Sequence, residues 1–210
     1  MPDINFAHIF ISFIVLLSSL TVHETAHAWT ADRLGDPTAR LLGRVSLNPI
    51  VHADPIGTVL FPLIAMVSGA PLIGWAKPVP VIVRNLGHPR RDFMLVAAAG
   101  PASNLVMAVG AAIVLRLATV AFGDAGASAP IESILGRALQ LNVLLALFNM
   151  IPIPPLDGGN VLAGLLPPPL AVVFNQIRPF GFILLYALML TGTLYAIIGP
   201  PFRIITSWLS

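Results

Sequence analysis

Residues 22–27 read Val-His-Glu-Thr-Ala-His and stand at the end of a stretch, residues 4–23, with no Asp, Glu, Lys or Arg. Twenty such residues in a row are enough for one helix to cross a bilayer core, which takes about 20. The chain holds five further uncharged runs, at residues 55–76, 93–115, 138–156, 158–177 and 179–202. Charged residues make up only 10% of the 210 residues, against roughly 25% in a soluble domain. Mean hydropathy is +0.90. These values exclude a conventional soluble globule and a disordered chain. They predict an all-α polytopic membrane protein with four to six spanning helices. A net charge of +2 gives no basic surface for nucleic acid. With no cysteine, any metal must be held by His, Asp or Glu.

The six runs are unequal. Runs 4–23, 93–115, 138–156 and 179–202 read as full spans, rich in Leu, Ile, Val, Ala and Phe. Run 55–76 carries Pro55, Gly57, Pro62, Gly69, Pro71 and Gly74, and run 158–177 carries Pro167, Pro168 and Pro169. Such breakers suit re-entrant or surface-lying segments. The first run does not read as a removable signal peptide, because Met1-Pro2-Asp3 is acidic and no small-residue cleavage pattern follows. Seven of the eleven basic residues lie between Arg33 and Arg91, which predicts that this stretch is cytoplasmic. The fourth run then returns inward and ends at the cytoplasmic side.

Within Val22–His27, His23 and His27 are one helical turn apart on one face. That spacing offers two imidazoles to a single zinc ion, and Glu24 beside them is placed to activate a zinc-bound water. An ionisable triplet in an otherwise uncharged helix end is by default a functional site. The alternative is a solvated polar helix end.

Catalytic zinc takes three protein ligands and a water. The topology brings one acid to the same side, Asp157, in Phe-Asn-Met-Ile-Pro-Ile-Pro-Pro-Leu-Asp-Gly-Gly, residues 148–159. Pro152, Pro154 and Pro155 stop the preceding helix, and Gly158 and Gly159 permit a sharp turn after the carboxylate. A bland reading also fits, in which Asp157 caps the next segment. Asn149 offers an amide to a substrate carbonyl or oxyanion, or else to a neighbouring helix.

These motifs resemble those of the site-2 proteases, a family of intramembrane zinc metallopeptidases. The family pairs H-E-x-x-H with a later N-x-x-P-x-P-x-x-D-G. Here these are His23-Glu24-Thr25-Ala26-His27 and Asn149, Pro152, Pro154, Asp157 and Gly158. Gly100-Pro101-Ala102-Ser103-Asn104 and the N-P-x-x-H-x-D-P-x-G-T stretch at residues 48–58 are also similar to the family's pattern. The resemblance covers nearly the whole chain. It implies that His23, His27 and Asp157 ligate one Zn2+, that Glu24 is the catalytic acid/base, and that Asn149 handles substrate. It implies a metalloendopeptidase that cuts transmembrane or membrane-proximal segments of other membrane proteins. A prokaryotic inner membrane and a regulatory membrane partner are further expectations. The length leaves no room for the PDZ or CBS domains that some members carry. Residues 1–210 then form one membrane-embedded domain: a zinc helix (4–30), a cytoplasmic loop with a membrane-dipping segment (31–92), helices 93–122 and 131–151, an Asp loop (152–160) and C-terminal segments (161–210).

Residues 75–83, Trp-Ala-Lys-Pro-Val-Pro-Val-Ile-Val, read as a cytoplasmic β-strand or hairpin element. Pro78 and Pro80 remove donors from one edge, so the amides of Lys77, Val79 and Val81 are left to brace the cytoplasmic face or to pair with unwound substrate. The small residues around Gly100 predict close packing of their helix on the zinc helix, with Pro101 bending it and Asn104 near the site. His52 fits three roles: support behind the metal ligands, a gate element or a solvated turn residue. A metal transporter or sensor would need ionisable groups along a path through the membrane. Here they cluster at one depth. A proteolytically silent relative would have lost Glu24 or a ligand, and this chain keeps all four groups.

Overall fold

The computed structural model describes residues 6–68, 76–122 and 129–209. Helix α1 runs Phe6–Arg33. It ends where Gly35 takes a φ of 112°, a conformation that side-chain-bearing residues rarely adopt. A short α2, Thr38–Leu41, follows. Asp54 accepts from the amides of Ile56 and Gly57 at 3.0 and 2.7 Å and so opens the wide helical turn Pro55–Leu60. That turn leads into α3, Phe61–Ser68. Residues Pro55–Ala65 are apolar but too short to cross a bilayer.

Helix α4, Pro89–Phe122, starts four residues before the uncharged run, because Asp92 accepts from the His88 amide at 2.6 Å and satisfies the helix start. It continues through Pro101 without a break. Helix α5 is Ala129–Asn149, and α6 begins on Asp157 itself and ends at Leu165. Thus Asp157 is the first residue of a helix and not the middle of a loop. Leu166 and Pro167 separate α6 from α7, Pro168–Asn175.

Helix α4 is central and packs against α1, α5 and α6. Its inward positions are small: Ala97, Ala108, Ala111 and Ala112 are buried against α1 or against Leu139 and Val143 of α5. Its large residues point out, with Val106 72% and Val120 86% exposed. An apolar exterior over a small-residue core is what lipid allows and water does not. Among the described residues, four segments are long and apolar enough to cross a membrane: Ile9–Arg33, Pro89–Ala121, Pro130–Asn149 and Pro168–Leu190.

The last of these corrects the sequence reading. Run 179–202 is not one helix. It is α8, Gly181–Leu190, and α9, Thr193–Leu209, divided at Gly192, whose φ is 72°. The fourth long apolar segment therefore comes from α7 and α8. Helix α9 is separate and lays Phe202, Ile205 and Leu209 on the α4–α5 core.

The β-strand or hairpin element is also not found. No strand occurs among the described residues, and Trp75 lies outside them. Residues 76–82 are held by single ties and not by a ladder. The Lys77 amide donates to His52 O at 2.9 Å, and the Val79 amide donates to Glu24 Oε2 at 3.2 Å. Arg44 Nη2 donates to the carbonyls of Lys77 and Pro78 at 3.2 and 3.1 Å. Two of the three amides expected to be open to a partner strand are thus already engaged.

The end of this segment is fixed by Asp36, which is fully buried. Its carboxylate accepts from the Ile82 amide at 2.6 Å, Asn85 Nδ2 at 2.9 Å, Thr38 Oγ1 at 2.5 Å and the Thr38 amide at 3.2 Å. Burial pushes its pKa up, but the donors from Thr38, Asn85 and Ile82 outweigh this and hold it below the ordinary carboxylate value. A depressed folded-state pKa gives stability that is present at neutral pH and lost as pH falls through that range. Asp36→Asn should destabilise the protein at pH 7 by on the order of 2 kcal/mol. The difference from wild type should shrink on acidification, as followed by thermal melts in detergent. An equal deficit at pH 7 and pH 3 would contradict this.

Candidate metal centre

The side chains that meet at the α1–α4 contact come from two places. Helix α1 supplies His23 and His27, 4% and 8% exposed. The start of α6 supplies Asp157. The two Nε2 atoms are 3.0 Å apart, and Asp157 Oδ2 lies 3.1 Å from His23 Nε2 and 3.3 Å from His27 Nε2. Ligands about 2.0–2.2 Å from a tetrahedral zinc stand about 3.3–3.6 Å apart. The observed triangle is at or just under one face of that tetrahedron. Among the described residues these three form the one His/Cys/Asp/Glu group close enough to hold a metal ion.

The far side of each imidazole supports the same use. His23 Nδ1 donates to Asn104 Oδ1 at 2.6 Å, and His27 Nδ1 donates to the Val96 carbonyl at 2.7 Å. Asn104's own orientation is fixed, because its Nδ2 donates to Asn142 Oδ1 at 2.8 Å and faces Ser19 O at 3.4 Å. Asn142 in turn donates to Ser19 Oγ at 2.9 Å and to Ala138 O at 2.8 Å. With Nδ1 protonated, each ring turns an Nε2 lone pair toward Asp157. This is the tautomer that binds a cation. Asp157 Oδ2 is buried and has no hydrogen bond of its own. An orphaned carboxylate oxygen facing two imidazole lone pairs fits a cation between them.

Glycines make the approach possible. A Cβ on Gly100 would lie on His27 Nε2 and 2.6 Å from His23 Nε2. On Gly158 it would strike the Met150 backbone, and on Gly159 it would be 2.6 Å from Pro154 N. The turn after α5 therefore nests against the first turn of α6 and fixes where Asp157 projects.

Glu24 is half-buried beside the cluster on α1, and the Val79 amide donates to its carboxylate. Asn149 is not in the cluster's hydrogen bonds. Its Nδ2 donates to Leu145 O, within its own helix, at 3.0 Å. His52 is not a solvated turn residue, since it is 2% exposed. Its Nε2 donates to Ser46 O at 2.8 Å, with Thr25 Oγ1 of α1 at 3.4 Å, and it touches no member of the cluster. Sequence reasoning missed Ser19 and Asn142. Both are polar residues in apolar helices, and Ser19 lies one turn before His23 on the same face.

A buried cluster of two histidines and a carboxylate, with a glutamate beside it and bilayer-length helices around it, fits a membrane metallohydrolase. Comparison with known proteins agrees. The profile of peptidase family M50 matches residues 116–189. Curated relatives carry the name "Putative zinc metalloprotease". YwhC of Bacillus subtilis is 41% identical over 181 residues, covering 85% of this chain and 79% of its own. Rip2 of Mycobacterium tuberculosis is 31% identical over 201 residues, covering 92% and 72%. Rip2 of Mycolicibacterium smegmatis is 32% identical over 182 residues, covering 85% and 66%. No solved structure matches the chain. The chain belongs to peptidase family M50, the site-2 proteases, and is a multi-pass membrane zinc metalloprotease.

If the polar shell orients the ligands, Asn104→Ala should weaken zinc affinity by about 10–100-fold. Gly100→Ala should abolish stoichiometric zinc with helix content unchanged. Metal analysis after dialysis against a chelator reads both. Full zinc in Gly100→Ala would contradict the packing described.

Proposed function

We propose that the protein is an intramembrane endopeptidase that hydrolyses peptide bonds in or near transmembrane segments of other membrane proteins. The observation that carries this is the triangle of His23 Nε2, His27 Nε2 and Asp157 Oδ2 with Glu24 at its side. His23, His27 and Asp157 are assigned as the zinc ligands. Zinc held there supplies Lewis acidity and makes water a nucleophile near neutral pH.

Glu24 takes the proton of the attacking water and passes it to the leaving amine nitrogen. The Val79 amide holds its carboxylate in place at 3.2 Å. Asn104 and Val96 O keep both imidazoles in the metal-binding tautomer. Asn149, at the end of the helix that leads to Asp157, is assigned to the substrate carbonyl and gives up its bond to Leu145 O when substrate enters.

The basic residues between Arg33 and Arg91 support a cytoplasmic position for the metal end of α1, and the bacterial relatives support an inner-membrane location in a prokaryote. Residues 1–210 act as one domain, with substrate drawn from the bilayer and access set by a membrane partner.

Glu24→Gln should keep one zinc per chain and lower cleavage of a reconstituted transmembrane substrate by about 100–10,000-fold. Zinc retained with cleavage undiminished would remove Glu24 from the mechanism.

A further inference from the structure

Arg137 lies in α5, seven residues inside the apolar segment Pro130–Asn149, or about 10 Å from its start. It is at the end of α5 away from Asp157. A guanidinium carries five N–H donors. One is used here, with Nη1 donating to Ser12 Oγ of α1 at 2.9 Å. Nε is buried with no partner. No carboxylate pairs with Arg137 among the described residues. A positive charge inside a membrane segment with no counter-ion and a single acceptor is costly.

The residue lines a cleft of about 210 Å³ formed by Ser12, Arg137, Gln140, Leu141, Leu144 and Phe202. Helices α1 and α9 both pack on α5 and flank it. Gln140 is exposed one turn along from Arg137 and adds an amide with no protein partner among the described residues. The other walls are Leu141, Leu144 and Phe202, and Leu144 is exposed, so the cleft is bordered by apolar surface. Helical side chains lean toward the helix N-terminus, which carries the guanidinium toward the membrane face opposite the metal cluster.

We propose that this cleft binds the phosphate of a membrane phospholipid headgroup, with Arg137 as its fork and Gln140 as a second donor. Phosphodiester oxygens match the Nη hydrogens that Ser12 leaves free, Nε being enclosed by protein, and acyl chains match the apolar walls. This site is separate from the metal cluster and does not depend on the assignment of Glu24.

The test is native mass spectrometry of the full chain in detergent, titrated with phosphatidylglycerol. One lipid should bind saturably. Diacylglycerol, which lacks the phosphate, should not bind. Inorganic phosphate at millimolar concentration should not displace the lipid. Arg137→Leu should weaken lipid binding at least tenfold with zinc content unchanged. If that variant does not fold, Gln140→Leu is read in its place, with a several-fold loss expected. Lipid binding equal to wild type in the variant that is read would overturn the proposal. So would displacement by inorganic phosphate, which would make this a free-anion site. Saturation by an acidic peptide with no lipid uptake would also overturn it and indicate a protein partner.

Discussion

The close approach of α4 to α1 at Gly100 governs the rest of the site. A side chain there would run into the Nε2 edge of both imidazoles. Its absence lets α4 deliver two acceptors, Asn104 Oδ1 and Val96 O, one to the back of each ring. Two histidines one turn apart are common geometry on a helix. What suits them to act as a ligand pair is the fixing of both tautomers from a second helix. In a lipid environment this fixing is strong, because the alternative for each buried Nδ1–H is no partner at all.

The same economy shapes the polar chain behind His23. Ser19, Asn104 and Asn142 are each fully buried, and each donor found in that chain has an acceptor. Such a network is favourable when complete and costly when broken. It ties α1, α4 and α5 together at the depth of the metal cluster. Asp157 then arrives from outside this triad, across a turn packed so closely that Gly158 and Gly159 tolerate no side chain.

Much of this is legible in the sequence, and for identifiable reasons. His23, His27 and Asp157 stand out because ionisable groups are rare in uncharged runs, and the distribution of basic residues predicts one membrane side for all three. Asn104 is approachable through the small-residue face it shares with Gly100. Asn142 and Ser19 do not stand out, since their role depends on which helix faces which. A strand at residues 75–83 is the wrong expectation because β-branched residues and alternating prolines describe an extended backbone without saying what it bonds. Here Glu24, Arg44, His52 and Asp36 take up those groups one by one. Gly192 divides the last run because a single left-handed residue outweighs the uniform apolarity around it. The burial of His52 is hidden because a loop histidine gives no sign of the Ser46 carbonyl that receives it.

The central claim is that His23, His27 and Asp157 hold one zinc ion. Zinc K-edge X-ray absorption on the purified, metal-loaded protein tests it most directly. The account predicts a four-coordinate site with two imidazoles at about 2.0–2.1 Å and oxygen ligands at about 2.0–2.2 Å. In Asp157→Ala the same two imidazoles should remain, with altered oxygen ligation and weaker metal retention. A zinc ion bound by a number of imidazoles other than two, or a spectrum unchanged by Asp157→Ala, would contradict it.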